Sequence, residues 1–142
     1  MKRATAYKRE DRIFLHASSR TTAGVWILTA PVLAPDRDDR AHLGSAVLHA
    51  LEGSQEGIEH PTSWKGIIDP VLQLAGVKSW DAFAKSARCV EIEFGTNRVS
   101  FLPTKNLGAK DGFEPLSAQI KSSSSEPEAL GAALLSAFKA AV

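Results

Sequence analysis

The order of apolar and polar positions divides the chain into strand-like and helix-like stretches. "RIFLHASS" and "GVWILTAPVLA" read as two strands joined by a turn at "RTTAG", with Gly24 supplying the turn. Val25, Trp26 and Ile27 favour a sheet, and Pro31 marks an edge position or the strand's end. "APDRDD" breaks the chain and offers Asp caps to a helix from about Arg37 to Gly53. On that helix Leu43, Val47, Ala50 and Leu51 share one face. "SQEGIEHPT" reads as a loop. Ser63 is placed to cap a helix through "WKGIIDPVLQLAG", which Pro70 should break or kink near Asp69 and Gly76 should end. Ser79 begins a short helix, "SWDAFAKSA".

The clearest local signal is "RCVEIEFGTNRVSFLP". Cys89/Val90, Ile92 and Phe94 alternate with Glu91 and Glu93, "GTN" makes a tight turn, and Val99 and Phe101 alternate on the return. This pattern predicts a β-hairpin with one wet face. Pro103 is expected to stop its second strand, after which "TKNLGAKDGF" turns through Gly108 and Gly112. "PLSAQIKSSSS" offers one more strand, its serine run serving as a surface linker. The last helix starts behind Ser125, with Pro127 in its first turn and Glu128 at the capping-box position. Its stripe is Leu130, Ala133, Leu134, Ala137 and Phe138, with Leu135 pointing away towards a contact patch.

Two helical segments resemble each other, "LGSAVLHAL" from Leu43 and "LGAALLSAF" from Leu130. Gly44 and Gly131 each weaken a helix by about 1 kcal/mol relative to Ala. Close approach of each helix to the sheet or to its counterpart would compensate. The architecture expected is α+β: one domain over residues 1–142, with a mostly antiparallel sheet, these two helices packed on it, and a smaller helical pair inserted between the hairpins.

Composition narrows the class without naming a chemistry. The 142 residues are 44% hydrophobic and 23% charged, with net charge +1, as in a soluble globular protein. No apolar run approaches the ~20 residues that span a bilayer. The start, "MKRATAYKRED", is polar and charged, which argues against a signal peptide and predicts a solvated terminus. With Cys89 as the only cysteine, no internal disulfide forms, and the cytoplasm is the default location. Charge is uneven: +4 over residues 1–35, −4 over 36–93 and +1 over 94–142. A basic footprint for nucleic acid is absent from the whole, while the acidic middle would steer a basic partner.

Each candidate chemistry has a plainer competitor. "TKNLGAKD" has the residue types of a phosphate loop but not the G-x-x-x-x-G-K-[ST] spacing, so a turn with solvated lysines is favoured. His42 and His49 lie seven apart on one helix, with Asp39 and Glu52 three residues outside them, which admits a small His/carboxylate hydrolase as an alternative. No second helix supplies a companion motif, and His16 and His60 sit in weakly defined places. Cys89 leads a strand and reads as a buried, inert thiol. Glu91 and Glu93 share a face as any alternating strand requires, which favours a solvated pair. Trp64 and Trp80 read as core or as an interface anchor, with core expected for at least one. Lys2, Arg3, Lys8, Arg9 and Arg12 admit a nucleic-acid-binding module as a further alternative. No cofactor or metal set is read from the spacing.

Four stretches taken together carry a family likeness: "HLGSAVLHALEGS", "W…PVLQLAGVKSWDAFAKSARCVEIEF", "VSFLPTKNLGAKDGF" and "EALGAALLSAF". Over about residues 42–138 the chain resembles the immunity-protein family of bacterial contact-dependent growth inhibition systems. The resemblance implies a non-enzymatic antitoxin of the cytoplasm. It would neutralise, in a one-to-one complex, the C-terminal toxin domain of a surface-delivered effector. Such toxins are often nucleases and commonly basic. Near-neutral charge argues against simple charge mimicry and leaves the acidic middle as a face. The interface expected is Glu52, Glu56, Glu59, Asp69 and Asp81, with Trp64 and the loop residues Lys105, Lys110 and Asp111.

Overall fold

The charged start of the chain builds the middle of the sheet. In the computed structural model, which describes residues 1–142, Lys2–Arg9 forms strand β1, flanked by β2 (Arg12–Thr21) and β5 (Ala87–Phe94). The solvated terminus expected from its charge is therefore a central strand. Its inner residues alternate: Ala4 and Ala6 face one side, Thr5 and Tyr7 the other, and all four are buried. Charges confined to the ends of the segment had masked this period of two.

The sheet continues outward through β3 (Trp26–Leu33) on one flank and β6 (Val99–Asn106) and β7 (Phe113–Pro115) on the other. Two short strands lie off this path, β4 (Glu56–Ile58) beside β2 and β8 (Lys121–Ser123) beside β6. All pairings are antiparallel except β4 with β2. Four helices complete the domain: α1 (Arg40–Glu52), α2 (Asp69–Ala75), α3 (Trp80–Ala84) and α4 (Pro127–Ala140). The α+β class, the antiparallel sheet, the helix pair and the inserted smaller pair are as the sequence led us to expect.

Several local expectations are corrected. "SQEGIEHPT" contains β4 rather than loop alone. Pro70 begins α2 instead of breaking it, because the first turn needs no N–H from that residue. Ser63 accepts only from the Lys65 amide, so it caps no helix. At α4 the residue before the helix is Glu126, without a side-chain cap, so the capping box behind Ser125 does not form. Leu135 is half-buried at the edge of the core rather than turned away from it. Pro103 does not stop its strand. Its carbonyl accepts from the Leu116 amide at 2.9 Å, so the missing N–H faces away from β5. On that side β8 ends at the Phe101 register and β7 begins at Thr104.

One face of the sheet carries the larger core. Ala4, Ala6, Ile13, Leu15, Val90, Ile92, Val99 and Phe101 meet Leu43, Val47 and Leu51 of α1 and Leu130, Leu134 and Phe138 of α4. Both Leu-Gly helices lie on this face and cross each other at their glycines. A Cβ on Gly44 would overlap the Pro127 carbonyl, and one on Gly131 would overlap the Arg40 carbonyl. The reciprocal contact lets two backbones touch, and this compensates the weak helix propensity of glycine. Asp39 caps α1 by accepting from the His42 amide at 3.0 Å.

The opposite face is covered only at one end. There Tyr7, Phe14 and Cys89 pack against Val71 and Leu72 of α2 and Phe83 of α3. Trp80 stacks on Phe83 with 5.6 Å between centroids, so it is the core tryptophan of the pair considered above. The loop after β6 is tied to this end: Asn106 Nδ2 donates to the Ala84 and Ala87 carbonyls at 2.6 and 2.8 Å. Its Oδ1 accepts from the Gly108 amide. Gly108 and Gly112 both take positive φ in the turn that follows. The loop's phosphate-like composition therefore serves a scaffold turn.

Candidate functional site

Strand register explains where the second face changes character. Phe14, Tyr7 and Cys89 form one cross-strand row, and α2 and α3 cover it. The next row is His16, Thr5, Glu91 and Leu102. The row beyond is Ser18, Arg3, Glu93 and Ser100. No helix covers these two rows, so a polar band opens where the apolar one ends.

The segment leading into α2 overhangs this band. Trp64, Ile67 and Ile68, with Trp26, Ile27 and Leu28 of β3, wall a cleft of about 440 Å³ whose floor includes Thr5, His16, Ser18 and Glu91. A second cleft of about 310 Å³ continues across the sheet from Arg3, Glu91 and Glu93 to Leu102, Pro115 and Ile120. Arg3 and Glu91 belong to both. Trp64 and Ile120, at the two ends, are 56% and 53% exposed. The two clefts combine apolar walls with a few polar floor groups.

The floor is a directed hydrogen-bond chain. Ser18 Oγ lies 3.2 Å from Thr5 Oγ1, which donates to Glu91 Oε2 at 2.9 Å. The Cys89 thiol lies 3.6 Å from Glu91 Oε1 as a weak donor. Glu91 is thus recessed and hydrogen-bonded, not the solvated residue that alternation alone implied. Burial is the largest influence on it and raises its pKa, against the lowering effect of Thr5, Cys89 and Arg3. Cys89 is fully buried, and burial followed by the nearby Glu91 charge raises its thiol pKa well above the ordinary value. That fits an inert thiol.

Arg3 is engaged elsewhere. Its guanidinium lies 4.6 Å from the Trp26 ring centre, and its Nε sits 3.3 Å from Glu93 Oε2 without hydrogen-bond geometry. His16 is 4% exposed. Its Nδ1–H donates to the Ala17 carbonyl at 2.8 Å, which fixes the neutral tautomer with Nε2 unprotonated. Burial lowers its pKa to about 4.

The residues expected at the interface fall into two groups. Glu52, Glu56 and Glu59 lie at the end of α1 and along β4, with Trp64 just beyond, its ring against His60 at 5.6 Å. Glu56 is neutralised within the chain, its Oε2 2.8 Å from the Met1 ammonium and its Oε1 3.7 Å from Arg20. Hydrogen bonding to the ammonium is the main cause of its lowered pKa. Asp69 and Asp81 occupy the first turns of α2 and α3, while Lys105, Lys110 and Asp111 belong to β6 and the loop after it. Of the cleft residues, sequence reasoning took Arg3 only as a nucleic-acid candidate, Trp26 only as a strand former and His16 as weakly placed, and set Glu91 aside. Their signal was the unrecognised alternation of β1 with its neighbours.

The other candidates do not assemble a centre. Asp39 is occupied in capping α1, and His42 and His49 are exposed beside a shallow hollow with Leu33, Pro35 and Ser45. No three His, Cys, Asp or Glu side chains are grouped to hold a metal ion. Lys8 joins Arg37, Arg40, Arg88 and Lys139 around a separate hollow near the end of α4, while Arg12 donates to the Leu74 carbonyl and lies over Phe14. The basic residues near the start are therefore dispersed along the sheet. No helix is long and apolar enough to cross a membrane.

The architecture is shared with solved structures. A protein of unknown function from Neisseria meningitidis, NMB0488, superposes with a TM-score of 0.81 at 18% identity, over 99% of this chain and 95% of that one. A chain from the CdiA-CT/CdiI toxin and immunity complex of Yersinia pseudotuberculosis superposes at 0.78 and 16% identity, over 99% and 97%. Among curated proteins none matches the sequence. The family model for CdiI, the CDI immunity protein, matches residues 2–141, and the chain belongs to that family.

Proposed function

We propose that this protein binds the toxin domain of a contact-dependent growth inhibition effector, one to one, and neutralises it in the cytoplasm. Family membership supports the immunity role, and the Yersinia neighbour comes from a toxin and immunity complex. The observation that carries the choice of surface is the pair of clefts on the helix-free half of this sheet face, which share Arg3 and Glu91 and have the exposed Trp64 and Ile120 in their linings. Trp64 is the anchor in this reading, and Glu52, Glu56 and Glu59 border it from the side of β4. Asp69, Asp81, Lys105, Lys110 and Asp111 are outer contacts around the covered end. Inhibition would follow from occluding the toxin's active site or substrate path, a nuclease being the toxin type favoured. No substrate of its own is assigned to the chain, and nucleic acid and membrane are not among the partners proposed.

The test is co-expression with the toxin domain encoded beside it. The expected result is a 1:1 complex by light scattering and restored growth. A Trp64→Ala variant should bind about 30-fold or more weakly, as for an interface hot spot of ~2 kcal/mol. Absence of both binding and rescue with the native chain would overturn the reading.

A further inference from the structure

We infer that the cleft under Trp64 is a receptor for one cationic side chain of a protein partner, an arginine, seated against Glu91. The inference deepens the immunity reading and rests on it for the partner's identity. Three observations point to this occupant.

The first is charge. Two carboxylates, Glu91 and Glu93, border the groove with one cation, Arg3. Arg3 lies against Trp26 and Glu93, and no lysine, arginine or amino terminus comes within 4.0 Å of Glu91. The floor therefore carries an unmatched carboxylate.

The second is hydrogen-bond demand. Glu91 accepts one hydroxyl and one weak thiol donor, leaving lone pairs on both oxygens. His16 lines the same cleft, and its Nε2, an acceptor in the tautomer fixed by Ala17, makes no hydrogen bond within the protein. Both unfilled sites are acceptors. A guanidinium, with five N–H donors and no acceptor, meets that demand in one group, whereas an acidic or acceptor-rich occupant would add to it.

The third is the wall. Trp64, Ile67, Ile68 and Leu28 offer an apolar lining for the aliphatic stem and an indole on which a planar cation stacks. The volume, about 440 Å³, lies in the range of sites that hold a small ligand group. The titratable and charged groups facing Glu91 are Arg3 and Tyr7 of β1, His16 of β2, and Cys89 and Glu93 of β5.

The experiment uses a probe that does not depend on the toxin. The 142-residue chain is titrated at pH 7 with acetyl-Gly-Arg-Gly-amide and with its citrulline counterpart, followed by tryptophan fluorescence and by NMR shifts of Thr5 and His16. Saturable binding of the arginine peptide is expected, with the citrulline peptide about tenfold weaker and the difference abolished in Glu91→Gln. That variant keeps an acceptor for Thr5, and its fold is checked by thermal melting. Equal response to the two peptides, no response to arginine, or an unchanged preference in a folded Glu91→Gln would each overturn the inference. A parallel arm separates the two readings. If the native chain neutralises the toxin domain and Glu91→Gln does so equally, the arginine receptor is refuted and the immunity reading stands. If the native chain fails to bind the toxin while the peptide arm holds, the immunity reading is refuted instead.

Discussion

Replacing Gly44 by alanine should destabilise the protein although it improves a helix. In an uncrowded helix interior the change would stabilise by about 1 kcal/mol through propensity. Here the added methyl would overlap the backbone carbonyl of Pro127, which no side-chain rotation relieves. The helices must separate, and that loosens Leu43 and Val47 against Leu130 and Leu134. Overpacking of a tight core costs about 1–3 kcal/mol, and more where backbone shifts. Taking about 3–4 kcal/mol for this crossing and subtracting the propensity gain leaves a net loss of about 2–3 kcal/mol. At roughly 2–4 °C per kcal/mol for a domain of this size, the melting temperature should fall by about 4–12 °C. Urea denaturation at pH 7 is the assay, with an unchanged m-value establishing that stability alone moved. Ser45→Ala, at the exposed neighbouring position, is the control and should leave stability level or slightly higher. Gly131→Ala should act alike against Arg40, and the double variant should lose less than the sum, because the first methyl already parts the helices. A Gly44→Ala variant more stable than the native chain would refute the close crossing.

Three further outcomes are expected. His16 stays neutral in the folded protein down to about pH 4, whereas in the unfolded chain it protonates near 6.5. Stability should therefore be lost as pH falls from about 6.5 towards 4, by about 3 kcal/mol in all, and the stability difference between the native chain and His16→Gln should follow that window in urea titrations. Glu91 has the opposite sign: its raised pKa means that folding is favoured by its protonation and that the benefit is lost as pH rises through the folded value. Glu91→Gln should then be as stable as the native chain or more so at pH 7, an advantage that disappears in acid. Asn106→Ala removes two donors to buried-end carbonyls and the acceptor for Gly108, and should cost about 2–3 kcal/mol by thermal or urea unfolding.

What the sequence made legible was local. The Cys89–Phe101 hairpin, the Leu-Gly helices, the Ser79 cap and the Gly76 stop all follow from spacing within a few residues, and the structure bears them out, although the first helix starts at Arg40 behind Asp39 and not at Arg37. What stayed hidden depends on pairing between distant segments. Lys2–Arg9 carries four cations, and only its neighbours β2 and β5 turn Ala4, Thr5, Ala6 and Tyr7 into a buried centre. The same pairings decide that Glu91 is recessed while Glu93 meets Arg3, a distinction invisible in an alternating strand. Pro103 misled for a related reason: whether a missing N–H matters depends on which side of the strand has a partner. Of the residues lining the two clefts only Trp64 is among those expected at an interface from sequence, because the floor comes from three strands far apart in the chain.

The most direct test of the central claim is growth under toxin expression. Cells producing the cognate toxin domain proposed for this chain should grow when the native chain is present and stop when it is absent. Trp64→Ala, shown to be folded, should need more inhibitor for the same protection, in line with its weaker binding. Continued arrest with abundant, folded native chain would contradict the account.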